Sequence, residues 1–179
     1  MPRISLADPI AADLGELLAA AANRRRPPLN LHLQMASAPV VLAAYVGIRR
    51  AIEAHGTLDL RTRFALMLAV SAATGCEYTQ AVNRVLTARA GMPGEQIEAV
   101  LAGEPIGDAP LDALLAIAHE AASAAGRVTG ATWRAATDAG VSDAQLAEAY
   151  ASIGLAVDVD QFVNCAETPL DVPAPTRAA

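Results

Sequence analysis

Residues 60–90 read LRTRFALMLAVSAATGCEYTQAVNRVLTARA, and this stretch decides the fold. After Arg61 and Arg63 the run to about Cys76 is apolar nearly all round. A helix apolar on every side belongs in the centre of a fold, so Leu60 to about Cys76 is predicted as a central helix. A further helix is predicted from about Glu77 to Ala90. Gly91 supplies a left-handed exit from it, and Pro93 starts the next helix, to about Ala102.

The same grammar extends in both directions. Upstream, Asp8 to Asn23 reads as a first helix, with Asp8 as cap, Pro9 at the first helical position and leucines at Leu14, Leu17 and Leu18. Arg24-Arg25-Arg26-Pro27-Pro28 ends it as a solvated linker. Ser37-Ala38-Pro39 opens a helix that runs to about Ala54 and stops at Gly56. Downstream, helices are predicted from Pro110 or Leu111 to Ala125 and from Thr129 or Gly130 to Gly140. Ser142-Asp143-Ala144-Gln145 is a capping box for a long last helix, to about Glu167. Residues 90–97 and 139–146 align at an offset of 49 positions, each a glycine exit, a short turn and a helix start. A duplicated helical hairpin accounts for that repeat. The chain divides into an N-terminal helix and linker (1–28), a helical domain (29–170) and a flexible tail (171–179).

Composition agrees with an all-α fold. The 179 residues are 54% hydrophobic and 3% aromatic. Much of the apolar share is alanine, a strong helix former and a poor strand former. The net charge of −6, with pI near 5.0, argues against nucleic-acid binding. Asp8, Asp13 and Glu16 fall where a secretion signal would be apolar, and the uncharged run Pro27 to Ile48 is broken by prolines and polar residues. A cytoplasmic protein without membrane segments is expected, its two cysteines, Cys76 and Cys165, reduced and buried. His32, His55 and His119 are too dispersed for a metal site, and no cofactor motif is present.

One constellation carries chemistry. Cys76 falls near a helix N-terminus, where the dipole lowers a thiol pKa. Asn83 lies one turn beyond Thr79 on the same face, so their side chains can converge. Read structurally, Cys76 is a packing thiol, Tyr78 a core residue with its hydroxyl bonded to backbone, and Asn83 the partner of a buried carbonyl. Read functionally, they form a buried polar cluster beside a pocket.

The run ATGCEYTQAVNRVLTARAGMPGEQIEAV (73–100) resembles the core of the alkylhydroperoxidase D-like and carboxymuconolactone decarboxylase superfamily. LDLRTRFALMLAVSAATGC (58–76), PLNLHLQMASAPVVLAAYVGI (28–48) and FVNCAETPLDVPAP (162–175) resemble its flanking segments. The resemblance implies an all-helical bundle that assembles as trimers or hexamers. Peroxidase members carry a glutamate, eleven residues, then Cys-x-x-Cys-x-x-x-His. Cys76 matches the first cysteine, but the second falls on Thr79, the histidine on Asn83 and the glutamate on Phe64. Threonine forms no disulfide and asparagine takes up no proton near neutral pH, so the usual dithiol peroxidase cycle is not expected. The decarboxylase members also rely on a histidine near this place. Three readings stay open. In the first, Cys76, Thr79 and Asn83 are catalytic and Phe64, Glu77 and Tyr78 bind a small organic ligand for isomerase, cyclase or lyase chemistry without redox. In the second, Cys76 is a weak single-thiol peroxidase. In the third, the chain is an inactive oligomeric homologue.

Overall fold

A computed structural model describes residues 2–8, 15–22 and 27–172. Among these the regular structure is entirely helical. The helices are α1 (Gly15–Ala21), α2 (Asn30–Met35), α3 (Pro39–His55), α4 (Leu60–Thr74), α5 (Glu77–Arg89), α6 (Gly94–Ala102), α7 (Ala109–Ser123), α8 (Gly130–Asp138) and α9 (Asp143–Ala166). None of the described helices is long and apolar enough to cross a membrane. The start predicted for the first helix at Pro9, the arginine cluster 24–26 and residues 173–179 of the tail lie outside the described residues.

Helix starts follow local chemistry. Asp59 accepts the Thr62 N–H at 2.7 Å, Asp108 the Leu111 N–H at 3.3 Å and Thr129 the Thr132 N–H at 3.3 Å. The capping box at α9 is complete: Ser142 Oγ accepts from Gln145 N, and Gln145 Oε1 accepts from Ser142 N at 3.0 Å. The two copies of the 49-residue repeat share a conformation. Gly91 and Gly140 take φ of 92° and 83°, which a side chain would strain. Met92 N then bonds Thr87 O, and Val141 N bonds Ala136 O. Met92 and Val141 are both buried, as are Ile97 and Leu146 five residues on.

Two apolar clusters make up the core. The first gathers Leu66, Leu68 and Val70 of α4 with Ile97, Leu114, Ile117, Leu146 and Ile153 from α6, α7 and α9. It confirms α4 as the central helix, buried against α5, α6, α7 and α9. The second gathers α2, α3 and α5 against the C-terminal half of α9, through Met35, Leu42, Val46, Cys76, Tyr78, Leu155 and Val159. Trp133, whose sequence setting suggests a packing anchor, is instead 40% exposed, and α8 buries Ala136.

Both ends of the described chain strap across α2. Arg3 N bonds Ala166 O at 2.9 Å, and Ala7 N bonds Leu33 O at 3.0 Å. The buried Gln34 amide donates to Ile4 O at 2.8 Å, and its carbonyl accepts from the Thr168 hydroxyl. Asp171, which the sequence places at the head of a tail, accepts from Asn30 N at 2.8 Å and from the Tyr78 hydroxyl at 2.7 Å.

Candidate functional site

The α4–α5 junction brings the sequence-predicted residues together at the edge of the second cluster. Gly75 turns the chain through a left-handed conformation, and Cys76 becomes the N-cap of α5. Its side chain is fully buried. Thr79, in the first turn of α5, donates to Cys76 O at 3.2 Å. Asn83, one turn on and also buried, donates from Nδ2 to Ser71 Oγ of α4 at 3.0 Å. Tyr78 is buried as well, its hydroxyl accepting from Leu31 N at 3.2 Å while it donates to Asp171. The hydroxyl thus engages a backbone N–H and a carboxylate.

Two of the ligand-binding residues predicted from sequence stand apart. Glu77 is exposed on the first turn of α5, where its charge suits the helix N-terminus. Phe64 is half-buried on the face of α4 that carries Ser71, about 10 Å back along the axis.

A sixth residue completes the group and was not foreseen. Asp160 of α9 is 1% exposed, and its Oδ2 accepts from the Thr74 hydroxyl at 2.6 Å. Burial raises its carboxyl to about 6, against the Thr74 hydrogen bond and the influence of Thr79 and Cys76, which favour the ionised form. Its other oxygen, Oδ1, is buried without a hydrogen bond. The sequence does hold a signal for it. Ile153, Ala156 and Val163 form the buried stripe of α9, and Asp160 is the one charge set on that stripe at helical spacing.

The thiol behaves oppositely to the sequence expectation. Cys76 sits at a helix N-terminus, yet burial raises its pKa, and the Asp160 carboxylate adds to the rise against hydrogen bonds from Thr79 and Tyr78. Desolvation outweighs the helix end. Cys165, expected to be buried, is exposed, and both cysteines are free thiols. Among the described residues no group of three His, Cys, Asp or Glu side chains gathers as metal ligands.

Residues 39–120, from α3 to the last turn of α7, match the carboxymuconolactone decarboxylase family. The match takes in a little under half of the chain, and the likeness to the family is a likeness of that segment. Solved structures share its fold. The debrominase Bmp8 in its apo form superposes with a TM-score of 0.81 at 16% identity, covering 94% of this chain and 91% of that one. A cysteine-to-alanine variant of Bmp8 in complex with 2,3,4-tribromopyrrole gives 0.81 at 15% identity, with the same coverage. An uncharacterized peroxidase-related protein from Silicibacter sp. TM1040 gives 0.77 at 15% identity, again over 94% and 91%. No curated protein matches by sequence. Within this carboxymuconolactone decarboxylase-like chain the matched segment supplies Ser71, Thr74, Cys76, Thr79 and Asn83. Asp160 comes from outside it.

Proposed function

We propose that this carboxymuconolactone decarboxylase-like chain binds a small, weakly polar organic molecule against Cys76, Thr79, Asn83 and Tyr78. The reaction there is non-redox, of isomerase, cyclase or lyase type, needs no cofactor, and runs in a homo-oligomer, trimeric or hexameric. The observation that carries this reading is the burial of Cys76 with its thiol held protonated. A peroxidatic cysteine works as a thiolate. This one has a carboxylate beside it where a cation would be needed, and the other cysteine is exposed. A polar cluster in apolar surroundings costs stability, and such clusters mark sites that orient ligands.

Thermal-shift titration with small lactones and halogenated pyrroles tests the reading, with 2,3,4-tribromopyrrole included because the Bmp8 variant binds it. A saturable rise in Tm that Asn83→Leu weakens is expected, together with no consumption of hydroperoxide in the presence of a dithiol. Hydroperoxide turnover would replace this reading with the single-thiol peroxidase. A flat response to every ligand would leave the inactive homologue. Light scattering on the purified chain gives the oligomer size.

A further inference from the structure

We propose that α2 and residues 167–172 form one lid over the Cys76 cluster, latched by Asp171, and that its opening admits the small organic ligand. This rests on the small-ligand reading above and adds the gate of that site. Cys76, Tyr78, Thr79, Asn83 and Asp160 are all buried, and Tyr78, the most open of them, is 5% exposed. A ligand therefore reaches them only when part of the fold moves. α5 and α9 have 13 and 24 residues. α2 has six, with no side-chain cap from Leu29. Leu29, Leu31 and Met35 share the second cluster with Cys76 and Tyr78, and Leu31 N bonds the Tyr78 hydroxyl. The α2 segment thus lies over the first turn of α5.

The latch is a single carboxylate. Asp171 Oδ2 accepts from Asn30 N, the first N–H of α2, at 2.8 Å. Its Oδ1 accepts at 2.7 Å from the Tyr78 hydroxyl, which accepts in turn from Leu31 N, the second. The N–H groups at a helix start need acceptors, and α2 draws both of these from outside itself. Pro169 O also accepts from the Asn30 side chain at 3.0 Å, and the Thr168 hydroxyl donates to Gln34. A six-residue helix is not stable alone, so α2 peels from its N-terminal end when residues 168–171 lift. Its other end stays tethered, because Ala7 N bonds Leu33 O and Ile4 O takes the Gln34 amide. The latch side is lightly held. None of residues 167–172 is fully buried, and Val172 supplies an apolar contact with the second cluster. Segments with few buried contacts open locally, well below the cost of global unfolding. Opening also releases the Tyr78 hydroxyl from Asp171, leaving it able to bond a ligand.

The test uses the Cys76 thiol as reporter, in the full chain carrying Cys165→Ser so that it is the only thiol. Mass spectrometry follows its alkylation by iodoacetamide, with urea from zero to well below the unfolding midpoint. The parent rate is expected to rise with urea at less than about half the slope of global unfolding, the mark of a local opening. Asp171→Ala should raise the rate without urea by about tenfold, and Thr168→Val by about threefold, with little change in the urea midpoint. Leu66→Ala, in the first cluster, should lower the midpoint and leave the rate without urea unchanged. Labelling that climbs with the full slope of global unfolding would overturn the proposal. So would equal rates for the parent and Asp171→Ala, or a Cys76 inert in both until the chain unfolds. The parent's slope needs no lid variant, so a poorly folding Asp171→Ala does not shield the proposal. The ligand titration fails separately: a lid that opens with no binder in the panel sinks the small-ligand reading alone. Saturable binding by a chain whose Cys76 labels only on global unfolding sinks the lid alone.

Discussion

The two core clusters do different work. The first, around α4, α6 and α7, is closed by leucine, isoleucine and alanine, with no charge inside. The second, around α2, α3 and α5, borders on Thr79, Asn83 and Asp160 and takes in Gln34 and His32 of α2. One half gains from burial at every position, and the other gives up part of that gain to hold polar groups out of water. The contrast puts purely apolar packing at one end of the bundle and the buried polar groups at the other.

The contrast breaks most easily at the first cluster. Leu66 is fully buried there, and Leu66→Ala should cost about 3 kcal/mol in chemical denaturation. A loss under about 1 kcal/mol would mean that this half is not close-packed.

Asp160→Asn should act with the opposite sign. A carboxyl held near 6 against an ordinary 3.8 prefers its proton in the folded state. Stability from this group is therefore present at low pH and falls as pH rises from about 4 to about 6. At pH 7.5 the ionised form costs on the order of 3 kcal/mol, which asparagine avoids. The variant should melt higher than the parent at pH 7.5 and alike near pH 4. Asp59, held low first by the Thr62 backbone hydrogen bond, gives stability that is present at neutral pH and lost in acid. Glu148 behaves the same way, because hydrogen bonds from Thr57 and Leu58 outweigh its desolvation. The difference between variant and parent cancels both.

Tyr78→Phe sharpens the comparison at about 1–2 kcal/mol. It leaves Leu31 N without its acceptor and takes the tyrosine hydroxyl from Asp171, so amide exchange should quicken across α2 and stay unchanged in α7. The smallest effect belongs to the exposed pair Arg3–Glu167, at 2.8 Å. Arg3→Ala should stay within about 0.5 kcal/mol by calorimetry.

Much of this organisation was legible in the sequence. The ends of α3 and of α5 to α9 fall within about two residues of their predicted positions, because proline, glycine and cap residues act locally. The short α2 was not legible. Asn30 to Met35 has no capping side chain, and it is held by partners at residues 4, 166, 168 and 171. That Cys76, Thr79 and Asn83 share one face at the start of α5 could be read from helical spacing. Asp160 lies 84 positions beyond Cys76, and only tertiary packing brings them together. The thiol's direction of shift was misread for the same reason. A helix end is visible in sequence, and desolvation is not.

The straps across α2 also set an order of events. Tyr78 and Asn30 take their carboxylate partner from Asp171, and Gln34 bonds to Thr168. A chain leaving the ribosome cannot make these bonds until Thr168 and Asp171 have emerged. The leucine-rich half, whose members end at Ala156, has all its residues first. Nascent protein can therefore complete its apolar scaffold before its polar corner is sealed.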